Sequence, residues 1–106
     1  SCHMLSEAVA QVWNLKAHHG VFLSGFDHSW VETPLLNIID VYPVGRCGGP
    51  GIFVGAHGFL HRQMFRKLPP SDVEARYGRI FKSKEFGLAV ERVVSELLIV
   101  NQQIIP

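Results

Sequence analysis

Residues 35–54 read Leu-Leu-Asn-Ile-Ile-Asp-Val-Tyr-Pro-Val-Gly-Arg-Cys-Gly-Gly-Pro-Gly-Ile-Phe-Val. Thr33-Pro34 ahead of them offers a helix start with proline at its first position. Ile38, Ile39, Val41 and Tyr42 favour a strand instead. Residues 35–42 are therefore read as a strand and Ile52-Phe53-Val54 as the next. The eight residues Pro43 to Pro50 hold three glycines and two prolines, which suits a loop that turns one strand into the other. Val21-Phe22-Leu23, between Gly20 and Ser24-Gly25, reads as a further strand.

Helical patterns flank this β-rich middle. Ser6 is placed to cap a helix with Glu7 in its first turn, and Leu5, Ala8, Val12 and Leu15 share one face. The first helix is expected at about 6–18, with His18-His19 in its last turn and Gly20 as its stop. Phe59 to Lys67 suits a short helix ended by Pro69-Pro70. Ser71-Asp72-Val73-Glu74 has the form of a capping box, opening a helix at roughly 71–77 before Gly78. Ser83 then caps a long final helix, about 84–103, with Phe86, Val90, Val93, Leu97, Val100 and Ile104 spaced 4-3-4-3-4.

Strands gathered in the middle and helices towards the ends predict an α+β domain. The expected architecture is a small antiparallel sheet of three or more strands, packed by an N-terminal helix and a long C-terminal helix. At 106 residues the chain has room for one domain. Ser1-Cys2-His3-Met4 reads as a cloning remnant running into a native start at Met4, so residues 1–3 are set aside and the domain is placed at 4–106. That leaves Cys47 as the lone cysteine and excludes a disulfide framework. A net charge of +1 excludes a histone-like or acidic-tail protein. No apolar run approaches the ~18 residues of a membrane span, and without a leader after Met4 a cytoplasmic protein is expected.

Several groupings could carry chemistry. The glycine-rich loop lacks the Gly-Lys-Ser/Thr ending of a phosphate loop, and it leads towards a strand where a dinucleotide fingerprint would lead into a helix. No cofactor is expected. Cys47 is a candidate nucleophile, with Arg46 beside it and His57 as a possible base. His57 and His61 are four apart, a metal-ligand spacing on a helix, but Gly58 argues that the helix starts after His57. No bound metal is expected. Asp27, His28, Glu32 and Asp40 offer acid–base candidates, and Asp40 in an apolar strand is the kind of carboxylate that burial perturbs.

Two surfaces complete the reading. Seven basic residues, among them Arg62, Arg66, Lys67, Arg76, Arg79 and Lys82, fall between positions 61 and 84 against Asp72 and Glu74 alone. Without a recognition motif this segment reads as a solvated face, and nucleic acid is not the expected partner. The final helix is apolar beyond one seam, so Phe86, Val90, Val94, Leu97 and Leu98 are read as a homo-oligomer interface. The leading functional expectation is a non-catalytic interaction module that binds itself, and in addition a small ligand or another protein. The rivals are a small enzyme with a pocket near Asp27, His28, Asp40 and His57, and a nucleic-acid binder using residues 62–84.

Overall fold

A computed structural model describes residues 2–22, 27–41 and 51–104, with side chains to residue 100. The chain runs α1 (Cys2–Trp13), β1 (Lys16–Phe22), β2 (Asp27–Glu32), β3 (Ile38–Asp40), β4 (Gly51–Phe53), α2 (Ala56–Met64), β5 (Phe65–Lys67), α3 (Pro70–Phe81) and α4 (Lys84–Ile104). The five strands form one antiparallel sheet in the order β4-β3-β2-β1-β5. The α+β class, with helices α1 and α4 built around an antiparallel sheet, is the one expected.

Strand β2 is central, and its alternation organises both layers. His28, Trp30 and Glu32 point to one face, Ser29 and Val31 to the other. The β1–β2 register sets Gly20 opposite His28 and His18 opposite Trp30. Trp30 lies over Gly20, where any Cβ would come within 2.5 Å of the indole and of the Arg66 carbonyl oxygen. Trp30, Ile38 and Phe65 form the core of this face, flanked by Phe22 and Phe53. On the opposite face Val31 packs with Val9 and Ala10 of α1, joined by Leu15, Ala17, Ile39, Val41 and Leu97. Helix α1 thus lies on the sheet, and α4 lies against α1 with Leu97 reaching the same cluster.

Several local expectations are corrected. The first helix spans 2–13, where 6–18 was expected. Asn14, at φ 53°, takes the left-handed turn that ends it, and the Leu15 N–H donates to the Ala10 carbonyl. Ser6 is therefore buried inside the helix and caps nothing, while His18, His19 and Gly20 belong to β1. The strand placed at 35–42 is confined to Ile38–Asp40. Residues 33–36 turn instead, with Leu36 at φ 63° and the Asn37 N–H donating to Thr33 Oγ1. Tyr42, the loop 43–50 and Leu23 lie outside the described residues.

Helix α2 starts at Ala56 and includes His57, because Gly55 makes the turn at φ 54° before it. It stops at Met64, and Phe65–Lys67, read as helix, pair with β1 as β5. The capping box does not form. Pro69 precedes α3, no side chain caps it, and the helix runs through Gly78 to Phe81. Glu74 turns to Lys82. Ser83 does cap α4, its Oγ accepting the Phe86 N–H at 3.2 Å. Among the described residues no helix is long and apolar enough to cross a membrane.

Replacing Gly20 with alanine forces a methyl group into the Trp30 ring and a backbone carbonyl. Overpacking of this kind costs about 1–3 kcal/mol, so urea unfolding of Gly20→Ala is expected to show that loss. An unchanged midpoint would mean that Trp30 does not sit on β1.

Candidate active site

The site is built where β2, β3, α2 and the first turn of α1 meet. Asp40 ends the short apolar strand Ile38–Asp40 and points to the Trp30 face of the sheet. Only 1% of its side chain is exposed. A carboxylate removed from water in this way needs partners. His28 of β2 supplies one, with Nε2 at 2.7 Å from Asp40 Oδ2. His61 of α2 supplies the second, with Nε2 at 2.8 Å from the same oxygen. Gly58, one turn earlier in α2, lets the helix close on the Phe53 carbonyl, where a Cβ would stand at 3.1 Å. Arg62 ties α2 to the β2–β3 turn, donating from Nη1 to the Leu36 carbonyl at 2.7 Å.

Aromatic rings seal this end of the sheet. The Phe65 ring lies 4.9 Å from His28 and 4.5 Å from His61. The Trp30 ring meets His61 edge-on at 5.3 Å. His28 cannot rotate away from Asp40 without disturbing these contacts, so its orientation is fixed from two sides.

Cys2 approaches His28 from the first residue of α1. Its half-buried thiol hydrogen-bonds the His28 ring, and the Ser29 backbone N–H donates to the sulfur. Burial pushes the thiol pKa up. The His28 hydrogen bond, the Ser29 N–H and the charge on His28 outweigh it, and the net direction is down. Burial also opposes a charged His28, yet hydrogen bonds to Asp40 and Cys2 and their negative charges raise its pKa to about 9. Burial likewise disfavours the Asp40 carboxylate, but the hydrogen bonds and charges of His28 and His61 bring its pKa below the ordinary value. The thiol is thus shifted down and the imidazole up, each by the other's charge and hydrogen bond.

His28 Nε2, Asp40 Oδ2 and His61 Nε2 are also the one group of three metal-capable atoms among the described residues. Two nitrogen or oxygen ligands of a tetrahedral zinc stand roughly 3.3 Å apart. The spacings of 2.7 and 2.8 Å are those of charge-assisted hydrogen bonds.

The acid–base candidates from the sequence separate here. His28 and Asp40 come together. Asp27 is exposed on the other side of β2, 3.7 Å from Arg76. His57 is exposed in the first turn of α2, and Cys47 lies outside the described residues. Cys2 and His61 complete the site. Cys2 belongs to residues 1–3, which the sequence analysis sets aside as a cloning remnant, and pairing His61 with His57 hid the link of His61 to Asp40. The signal for His61 was Asp40 itself, a carboxylate in an apolar strand that had to find donors.

Lys82 pairs with Glu74, Arg76 with Asp27 and Lys67 with Glu32. Compared with protein-family models, curated proteins and solved structures, the chain gives no match.

His28 has a folded pKa of about 9 against an ordinary 6.5. The stability it contributes is fully present below about 6.5 and is lost as pH rises through about 9. The ring carbon-bound protons of His28, followed by NMR, are expected to titrate near that upper value. In Asp40→Asn the buried ring loses its carboxylate, and the midpoint is expected to fall by about 2 units or more. A wild-type midpoint near the ordinary value contradicts the pairing.

Proposed function

We propose that the chain is a thiol enzyme that transfers or hydrolyses acyl groups, with Cys2 as nucleophile, His28 as acid and base, and Asp40 as the orienting carboxylate. The observation that carries this reading is the order of contacts. A thiol meets an imidazole whose Nε2 is held by a buried carboxylate. That order gives a nucleophile, a base and an orienting group their roles irrespective of fold. It favours the enzyme rival over the non-catalytic module, because a lone buried ion pair has no need of an adjacent thiol.

The chemistry follows from the groups. The Cys2 thiolate attacks an acyl carbonyl carbon, and the carbonyl π electrons move to oxygen. The first N–H groups of α1 have no intrahelical carbonyl partner and point out of the helix start, where they can donate to that oxyanion. As the C=O bond re-forms, the bond to the leaving group breaks and His28 protonates the departing atom. A thioester on Cys2 remains. Water then gives its proton to His28, attacks the thioester carbon and releases the acid and the thiolate. An amine in place of water makes the reaction a transfer. No step uses a metal or an organic cofactor.

Hydrolysis of p-nitrophenyl acetate tests the reading. Wild type is expected to turn over with a burst of nitrophenol, and Cys2→Ala to show none. His28→Ala is expected to fall by about a hundredfold or more. A Cys2→Ala protein as active as wild type would remove the proposal.

Self-association is a second reading, supported by one observation. Phe86, Val94 and Leu97 are partly covered and Val90 is buried on the α1 side of α4, but Leu88, Leu98, Ile99 and Val100 are about half exposed along its outer side. This face would bury against a second copy. Sedimentation at micromolar concentration is expected to show a dimer for wild type and a folded monomer for Leu98→Glu. A monomeric wild type removes this reading and leaves the enzyme reading untouched.

A further inference from the structure

By sequence His61 stands four residues after His57, yet His57 is exposed and the His61 side chain is only 4% exposed. The fold gives His61 other neighbours. Its Nε2 and that of His28 lie 2.8 and 2.7 Å from the same oxygen, Asp40 Oδ2. The three atoms all fall within 4.8 Å of one another, and all three residues are buried. They reach this point from β2, the end of β3 and α2. Two imidazole nitrogens and a carboxylate oxygen thus converge from three separate elements.

That donor set suits a borderline divalent ion such as zinc and suits calcium or magnesium poorly, since those take oxygen ligands. Three protein ligands leave the fourth position of a tetrahedral ion to water. Each nitrogen now shares a proton with the carboxylate oxygen. Opening each contact by about half an ångström brings the atoms to the separation that a tetrahedral ion sets. The proton of His28 Nε2 is released on binding. That of His61 can move within its own ring, because Nδ1 is buried without a hydrogen-bond partner among the described residues. The same lack of an acceptor leaves His61 unsupported as a ligand, which costs about 10–100-fold against a fully supported site. Rings of Phe65, Trp30 and Phe53 stand 4.5, 5.3 and 5.4 Å from His61. They lower the local dielectric, so the attraction between an ion and Asp40 is strengthened.

We propose that His28, Asp40 and His61 form a binding site for one zinc-class divalent ion, which takes the place of the two protons shared on Asp40 Oδ2. The ion and the Asp40–His28 hydrogen bond exclude one another. The cluster therefore has two states, one bridged by protons and one by metal. The metal-bridged state ties α2 to β2 and β3 through three ligand bonds where two hydrogen bonds stood. The expectation of no bound metal came from pairing His61 with His57, a pairing the fold does not make. Cys2 is not one of the three ligands, so the site stands apart from the thiol-enzyme reading.

Zinc chloride alone is the probe. Metal-free wild type is titrated with it, metal content is measured after gel filtration, and the histidine ring nitrogens are followed by long-range proton–nitrogen NMR. One equivalent is expected to bind and to move the Nε2 signals of His28 and His61 while those of His57 stay in place. EDTA is expected to restore the first spectrum. Asp40→Asn is expected to bind at least about tenfold more weakly, and His57→Ala and Cys2→Ala to bind as wild type. Zinc is also expected to raise the melting temperature of wild type and not that of Asp40→Asn. If Asp40→Asn does not fold, the ring signals of wild type decide alone. A wild type that takes up no stoichiometric zinc overturns the inference. So does one equivalent that leaves the His28 and His61 signals unmoved, because the ion is then held elsewhere. A folded Asp40→Asn that binds as tightly as wild type, or loss of binding in His57→Ala or Cys2→Ala, overturns it as well. A chain that fails to hydrolyse p-nitrophenyl acetate removes the thiol-enzyme reading and leaves this site standing.

Discussion

A carboxylate with almost no surface exposed is the constraint on which the rest of the molecule depends. Asp40 loses its water when β3 docks, and an unpaired buried charge of that kind is not sustained in a stable fold. His28 on β2 and His61 on α2 donate to it from different elements. The pairing therefore fixes the distance between the sheet and the α2 layer. It also holds the His28 ring in one orientation. A polar requirement inside the sheet thus assembles three elements around one imidazole.

The two faces of β2 divide the work. On the Trp30 face an aromatic cluster excludes water from the His28–Asp40–His61 group. On the other face small residues, Ala8, Ala10 and Ser6, let α1 approach the sheet closely. That approach brings the first turn of α1 close to β2. The alternation of one strand therefore places the His28 ring on one side and the helix contact on the other.

The α+β class and the final helix were legible because hydrophobic periodicity and a serine cap carry them directly. The central strand was not. Asp27-His-Ser-Trp-Val-Glu32 looks like a polar turn by composition, since its buried polar residues are satisfied by partners far along the chain. The end of α1 was obscured for a related reason. Lys16-Ala-His-His continues a helical pattern by residue type, and a single left-handed asparagine at position 14 breaks it. Of the site, His28 and Asp40 were visible as titratable residues near apolar strands. Their contact with Cys2 and His61 depends on tertiary folding, and residue spacing carries no trace of it.

The central claim is that Cys2 and His28 act as a pair in which the imidazole lowers the thiol pKa. Thiolate absorbance at 240 nm across pH 4–10 measures it directly, with Cys2→Ser subtracted to remove Cys47. The expected result is a Cys2 signal that rises below the ordinary thiol range, and a rise that moves upward in His28→Ala. A Cys2 signal that appears only near pH 8.5, unchanged in His28→Ala, would contradict it.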